Sequence, residues 1–269
     1  MDYKKNGNDI ILKQPDFDLD QTLDCGQAFR WKKIPTENVT TYEGFFLNRK
    51  LLISQDNSAI TFHNTSEDDF LNIWSDYFDL NTDYSSLKHI FSQDETLNKA
   101  CNFAGGIRLL KQDFWEALCS FIISQNNNIP RIKGIIDRMC SHYDCFPTAQ
   151  MLANETVETL EFLRSGFRAK YIIDAAQKVA SGLITENAIR NMDISQARTV
   201  LKSIKGVGPK VAECVLLYGL YRTEAFPVDV WIKRVLEKYY PCGFPEFASQ
   251  YAGIAQQYLF HYIRFADEV

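Results

Sequence analysis

The hydrophobic period of this chain changes once, near Ser66, and that change constrains its fold more than any other feature. Before it, IILKQ, GQAFRWKKI, TTYEGFFLN, KLLISQ and AITFHN are short, β-branched and aromatic, with Asn, Asp, Gly and Pro clusters between them. They predict the strands of an antiparallel meander. After it, apolar residues recur at i, i+3, i+4 and i+7. Phe114, Ala117, Leu118 and Phe121 do so behind Asp113, a residue placed to cap. Ile132, Ile135, Ile136 and Met139 repeat the spacing, as do Ala197, Val200, Leu201 and Ile204, then Val211, Cys214, Val215 and Tyr218, then Ile232, Val235, Leu236 and Tyr239. Strands first and helices after predict an α+β chain, a twisted antiparallel β-sheet domain packed on an all-α domain. The expected division is 1–105, the sheet with flanking helices, and 106–269, the helical part.

Composition excludes several alternatives. Apolar residues make up 46% and charged residues 23%, as in ordinary globular proteins, so a disordered or collagen-like chain is excluded. No window approaches eighteen uninterrupted apolar residues, and MDYKKNGNDIILKQPDFD has no apolar signal core. The expectation is a cytoplasmic protein without membrane contact. Seven scattered cysteines with no C-x-x-C suggest reduced thiols and no zinc ribbon. The net charge of -5 is unevenly spread: residues 1–100 carry ten Lys and Arg against seventeen Asp and Glu, and the rest carries nineteen against seventeen. An anionic partner is therefore expected on the second half.

Two of the predicted helices are separated only by Lys205-Gly206-Val207-Gly208-Pro209, within a unit of about residues 197–220. Glycines at this spacing permit a tight turn and close approach of a ligand to bare backbone, and the following helix begins with free amides. Taken alone, Gly-x-Gly is more often a plain helix connector. Lys210 opens the second helix, where an ammonium faces the positive end of the dipole. Nineteen residues later, Pro227-Val228-Asp229 precedes another helix, and Asp229 is placed to cap it.

IKGVGPKVAECVLLYG followed by AFPVDVWIKRVL resembles the helix-hairpin-helix and Gly/Pro-Asp motif of base-excision DNA glycosylases. CGQAFRW (25–31), GIRLLKQD (106–113), CSFIISQNNNIPRI (119–132), GFRAKY (166–171) and AGIAQQYLF (252–260) narrow the likeness to the 8-oxoguanine DNA glycosylase/lyase, over almost the whole chain. The resemblance implies the helix-hairpin-helix glycosylase fold, double-stranded DNA containing 8-oxoguanine as partner, a monomer, and chemistry needing neither metal nor organic cofactor.

It also implies roles. Lys210 attacks the sugar C1′ of an extruded nucleotide and forms an imine, Asp229 stabilises the charge that develops there, and β-elimination then nicks the strand. Gly26 presents its carbonyl to N7 of the lesion, although a glycine at a strand bulge reads the same way. Gln256 reads the Watson–Crick edge, with Phe260 stacking on one side and Cys214 on the other. Asn126 fills the vacated space, Arg131 hydrogen-bonds the orphaned base, and Phe167 and Arg168 wedge and read the adjoining duplex. Gly206, Gly208 and Val211 offer amides to a phosphate.

Three positions depart from the pattern. Phe167 stands where eukaryotic members usually have Tyr, Trp231 (a DNA-facing position) where they usually have His, and Tyr218 where Met is usual. An alkylpurine glycosylase on the same fold generally lacks the lysine, so Lys210 argues against it. A non-catalytic DNA-binding module would need neither Asp229 at its set distance nor the Gln256 and Phe260 pair.

Overall fold

Among the residues that the computed structural model describes, 1–266, six strands form one antiparallel sheet. They are β1 (Asp2–Asn6), β2 (Asp9–Lys13), β3 (Lys32–Ile34), β4 (Thr40–Phe46), β5 (Arg49–Gln55) and β6 (Ile60–His63), in the order β1-β2-β6-β5-β4-β3. The expected meander holds for β3 to β6. The first two strands instead form a hairpin on the β6 edge, with Ile10 opposite Phe62. β1 is polar and mostly exposed, so no alternation announced it. Of GQAFRWKKI only the last three residues are strand. Gly26 there takes φ +88°, and Gln27 ties the segment down: its amide donates to the Thr22 and Arg108 carbonyls and accepts from the Leu110 amide.

One face of the sheet is apolar by strict alternation: Ile10 and Leu12, Leu51 and Ile53, Ile60 and Phe62 are buried. They pack with Trp31, Phe70, Trp74 and Phe78, and the Trp31 indole donates to the Tyr77 hydroxyl at 2.7 Å. Burying that much aromatic surface is the main term holding this face.

By compactness the chain divides into residues 1–111 together with everything from Val228 onward, and Gln112–Pro227. The sequence by itself suggests a single boundary at 105. The C-terminal helices, Val230–Tyr239 and Ala252–Phe265, belong to the sheet-bearing unit, where the latter packs on the helix Glu95–Phe103. Tyr240 donates to Asp94 at 2.7 Å, which anchors that return.

The second unit is built around the helix Phe114–Ser124, buried continuously from Ala117 to Ile123. Asp113 caps it as expected, accepting from the Glu116 amide at 2.8 Å. The helices Ile129–Tyr143, Ala169–Ala180 and Pro209–Cys214 surround it. The last is α-helical only to Cys214; Val215–Gly219 widens into a π-turn, and Tyr218 stacks on Phe121 at 4.9 Å. Strands then helices, as expected, make an α+β protein.

Candidate active site and nucleic-acid interface

In the second unit the hairpin runs from the helix Ile194–Lys202 through Ser203–Gly208 into Pro209–Cys214. Gly206 has φ +79°, and a Cβ there would lie 2.4 Å from the Tyr171 ring, so both conformation and crowding demand glycine. At Gly208, the N-cap, a Cβ would meet nothing within 4 Å. The turn is thus packed behind Gly206 and open at Gly208. No side chain caps the next helix, which leaves its first amides available.

Lys210 is half-buried, and its Nζ lies 5.5 Å from the centre of the Phe121 ring. Within this unit that amine makes no hydrogen bond or ion pair among the described residues. An amine with no carboxylate partner in its unit can act as a nucleophile once its proton is lost. Cys214, one turn on, is buried.

The turn between Phe114–Ser124 and Ile129–Tyr143 carries the three asparagines. Asn126 is exposed in a left-handed conformation, φ +47°, while Asn128 caps the next helix by accepting from the Arg131 amide at 3.0 Å. Arg131 itself is exposed. Phe167 is 45% exposed. Arg168 is placed differently from the expectation of a duplex contact. It is buried, and its guanidinium donates to the carbonyls of Gln125, Asn126 and Ser165. In this state its donors are spent on shaping the Asn126 turn, not on solvent-facing recognition.

Asp229 lies in the first unit. It caps Val230–Tyr239, its Oδ1 accepting from the Trp231 and Ile232 amides at 3.0 and 2.9 Å. Its Oδ2 makes no hydrogen bond among the described residues of that unit. One carboxylate oxygen is thereby fixed by the backbone and the other left for a ligand. Trp231 is half-buried beneath the Arg234 guanidinium, 4.9 Å from its ring.

Three more residues of the same unit are brought together. Gly26 follows Cys25, whose thiol donates to Gln257 at 3.7 Å, and Gln257 donates to the Oε1 of Gln256 at 2.7 Å. Burial pushes the Cys25 thiol up to about 11, which leaves it a protonated donor. Gln256 is itself buried, so its amide is held by the network rather than by solvent. Phe260, one turn further, is half-buried with the Arg264 guanidinium 5.0 Å from its ring. Gln257 carries no signal of its own in the sequence, because its neighbour bears the same amide and nothing local tells them apart. Among the described residues no cluster of three or more His, Cys, Asp or Glu could hold a metal, and no helix is long and apolar enough to cross a membrane.

Residues 119–246 match the model of the HhH-GPD superfamily of base excision DNA repair proteins, which sets the class. Residues 9–118 match the N-terminal domain of 8-oxoguanine DNA glycosylase. The N-glycosylase/DNA lyase of Saccharomyces cerevisiae is 32% identical over 269 residues, 86% of this chain and 70% of that protein. Among solved structures, MBOgg1 in complex with a low affinity DNA ligand shares 41% identity with a TM-score of 0.90, covering 98% of this chain and 99% of that one. Clostridium acetobutylicum 8-oxoguanine glycosylase/lyase, in complex with double-stranded DNA containing cytosine opposite 8-oxoG, shares 33% with a TM-score of 0.89, covering 98% of each. The chain belongs to the 8-oxoguanine DNA glycosylase/lyase family.

Proposed function

We propose that this protein extrudes 8-oxoguanine from duplex DNA, releases it through a Lys210 imine, and then nicks the strand. The amine at the start of the helix after the hairpin, held over Phe121 without a carboxylate partner in its unit, is the observation that carries the reading. Lys210 Nζ forms a bond to C1′ as the bond from C1′ to the base breaks, and the base departs with a proton. Loss of the amine proton and opening of the sugar give the imine. Removal of a C2′ proton then expels the 3′ phosphate. Asp229, with one oxygen fixed by two amides, stabilises the positive charge that builds on the sugar.

The remaining assignments follow the same logic. The Gly26 carbonyl is suited to a lesion whose N7 is a donor, unlike that of guanine, and Gln256 to the opposite edge. Phe260 and Cys214, one in each unit, are each assigned a stacking role by the resemblance. Asn126, Arg131 and Phe167 serve the vacated space and the orphaned base, with Arg168 joining them once its carbonyl partners are exchanged for DNA. The amides of Gly206, Gly208 and Val211 take a phosphate, and Trp231 packs on the backbone.

Borohydride trapping on duplex DNA containing 8-oxoguanine opposite cytosine tests the proposal. Covalent capture of the wild type, absent in undamaged duplex and in Lys210→Gln, is expected. Base release without any reducible adduct would overturn the imine.

A further inference from the structure

We infer that Asp174 and Lys178, neither of them in the reaction machinery, are positioning residues that hold the hairpin in its phosphate-binding shape. This rests on the function proposed above.

The helix Ala169–Ala180 places Tyr171, Asp174 and Lys178 at i, i+3 and i+7, and therefore on one face. Each meets the hairpin turn. The Tyr171 ring lies against the Gly206 α-carbon, close enough that no side chain fits there. Asp174 Oδ2 accepts from the Lys205 amide at 2.7 Å. Lys178 donates to the same Oδ2 at 2.8 Å and to the Ser203 carbonyl at 2.6 Å. Two residues in the first half of the turn, Ser203 and Lys205, are thus joined through one ion pair on a neighbouring helix.

The brace has a geometric consequence. Gly206 and Gly208 can take conformations that most other residues avoid, so the turn has more ways to be wrong than most. Within the hairpin itself Val207 donates to the Ile204 carbonyl at 3.0 Å, which closes the turn but does not say how it is aimed. Aim comes from outside. Phe167, just before this helix, touches Tyr171 edge to face at 5.7 Å, and Arg168 grips the Asn126 turn. One rigid helix therefore fixes the spacing between the phosphate-binding amides, the wedge and the gap-filling asparagine.

The test measures binding to a duplex carrying a tetrahydrofuran abasic analogue at one fixed salt concentration. The hairpin contact is made by uncharged amides, so its loss is read as affinity and not as a change in the salt slope that Lys and Arg set. Asp174→Ala is expected to bind about tenfold more weakly, while the single-turnover excision rate at saturating enzyme falls less than threefold. Asp174→Asn keeps an acceptor for the Lys205 amide and should recover most of the affinity, which a merely destabilised fold would not do. Lys178→Gln, releasing Ser203, gives a second reading should the alanine variant fail to fold. Affinity within about twofold of wild type in whichever of Asp174→Ala and Lys178→Gln folds overturns the inference. The probe undergoes no base excision, so failure of the imine chemistry in the trapping assay leaves this measurement independent.

Discussion

The carboxylate of Glu213 accepts a hydrogen bond from the Phe226 amide at 2.9 Å while pairing with Arg198 through both its oxygens. Glu213 stands one turn after Lys210, and Phe226 stands three residues before Asp229. The helix bearing the candidate nucleophile thereby holds the chain that leads into the candidate charge stabiliser. Glu213→Ala removes the acceptor of a part-buried amide and of a guanidinium, and should cost about 1 kcal/mol of stability. Glu213→Gln keeps one acceptor oxygen and should recover part of it. Urea denaturation of the three proteins measures the difference; equal midpoints would show that the contact holds nothing.

Lys210→Gln should abolish borohydride trapping and nearly all base release. Its affinity for lesion-bearing duplex should stay within about tenfold of wild type, because the phosphate and pocket contacts lie elsewhere. Cross-linking that persists in this variant would move the nucleophile to another amine.

At Asp229 the cap and the charge can be separated. Asp229→Asn retains an oxygen for the Trp231 and Ile232 amides, so its melting temperature should hardly move. Base release should slow by about a hundredfold or more, the usual cost of removing one electrostatic stabiliser. Asp229→Ala should lose about 1 kcal/mol of stability in addition. Single-turnover excision within threefold of wild type in the asparagine variant would leave Asp229 with capping alone.

Asp174 offers a pH test of the brace. Burial works against its charge, yet Lys178 and the Lys205 amide together hold its carboxyl below the usual carboxylate range. The groups facing it are Lys178 on its own helix and Lys205 on the hairpin. A depressed carboxylate contributes stability that is fully present above its unfolded value, about 3.9, and is lost as pH falls through the lower folded value. The gap in urea midpoint between wild type and Asp174→Asn should therefore be wide at pH 6 and begin to close only below about pH 4, narrowing further as the folded carboxylate is protonated. A gap independent of pH would refute the ionic part of the brace.

The ring proposed as the wedge, Phe167, carries no hydroxyl with which to hydrogen-bond a neighbouring base. Discrimination between cytosine and adenine opposite the lesion should then be weaker than in eukaryotic relatives. Phe167→Tyr should strengthen it by roughly fivefold, the worth of one hydrogen bond of about 1 kcal/mol. Single-turnover excision opposite all four bases measures this, and a tyrosine variant with the wild-type ratio would refute it.

Local pattern alone determined the strand-then-helix order, the Asp113 and Asp229 caps, and the hairpin with its glycines, because capping, turn conformation and amphipathic spacing are decided within one or two turns of chain. The family resemblance marked Lys210, Gly26, Gln256 and the Asn126 turn. What the chain could not announce was set by partners far apart in sequence. Gln27 holds the Gly26 segment by reaching Arg108 and Leu110, and Gln257 rather than Gln256 receives the Cys25 thiol. Arg168 reads as an exposed cation in one dimension, yet it is buried because three carbonyls of the Asn126 and Ser165 turns converge on it. Asp174 and Lys178 look like an ordinary solvated i, i+4 pair until the hairpin is folded against them. Backbone amides and carbonyls carry no residue identity, so a site that depends on them is visible only once the chain has closed.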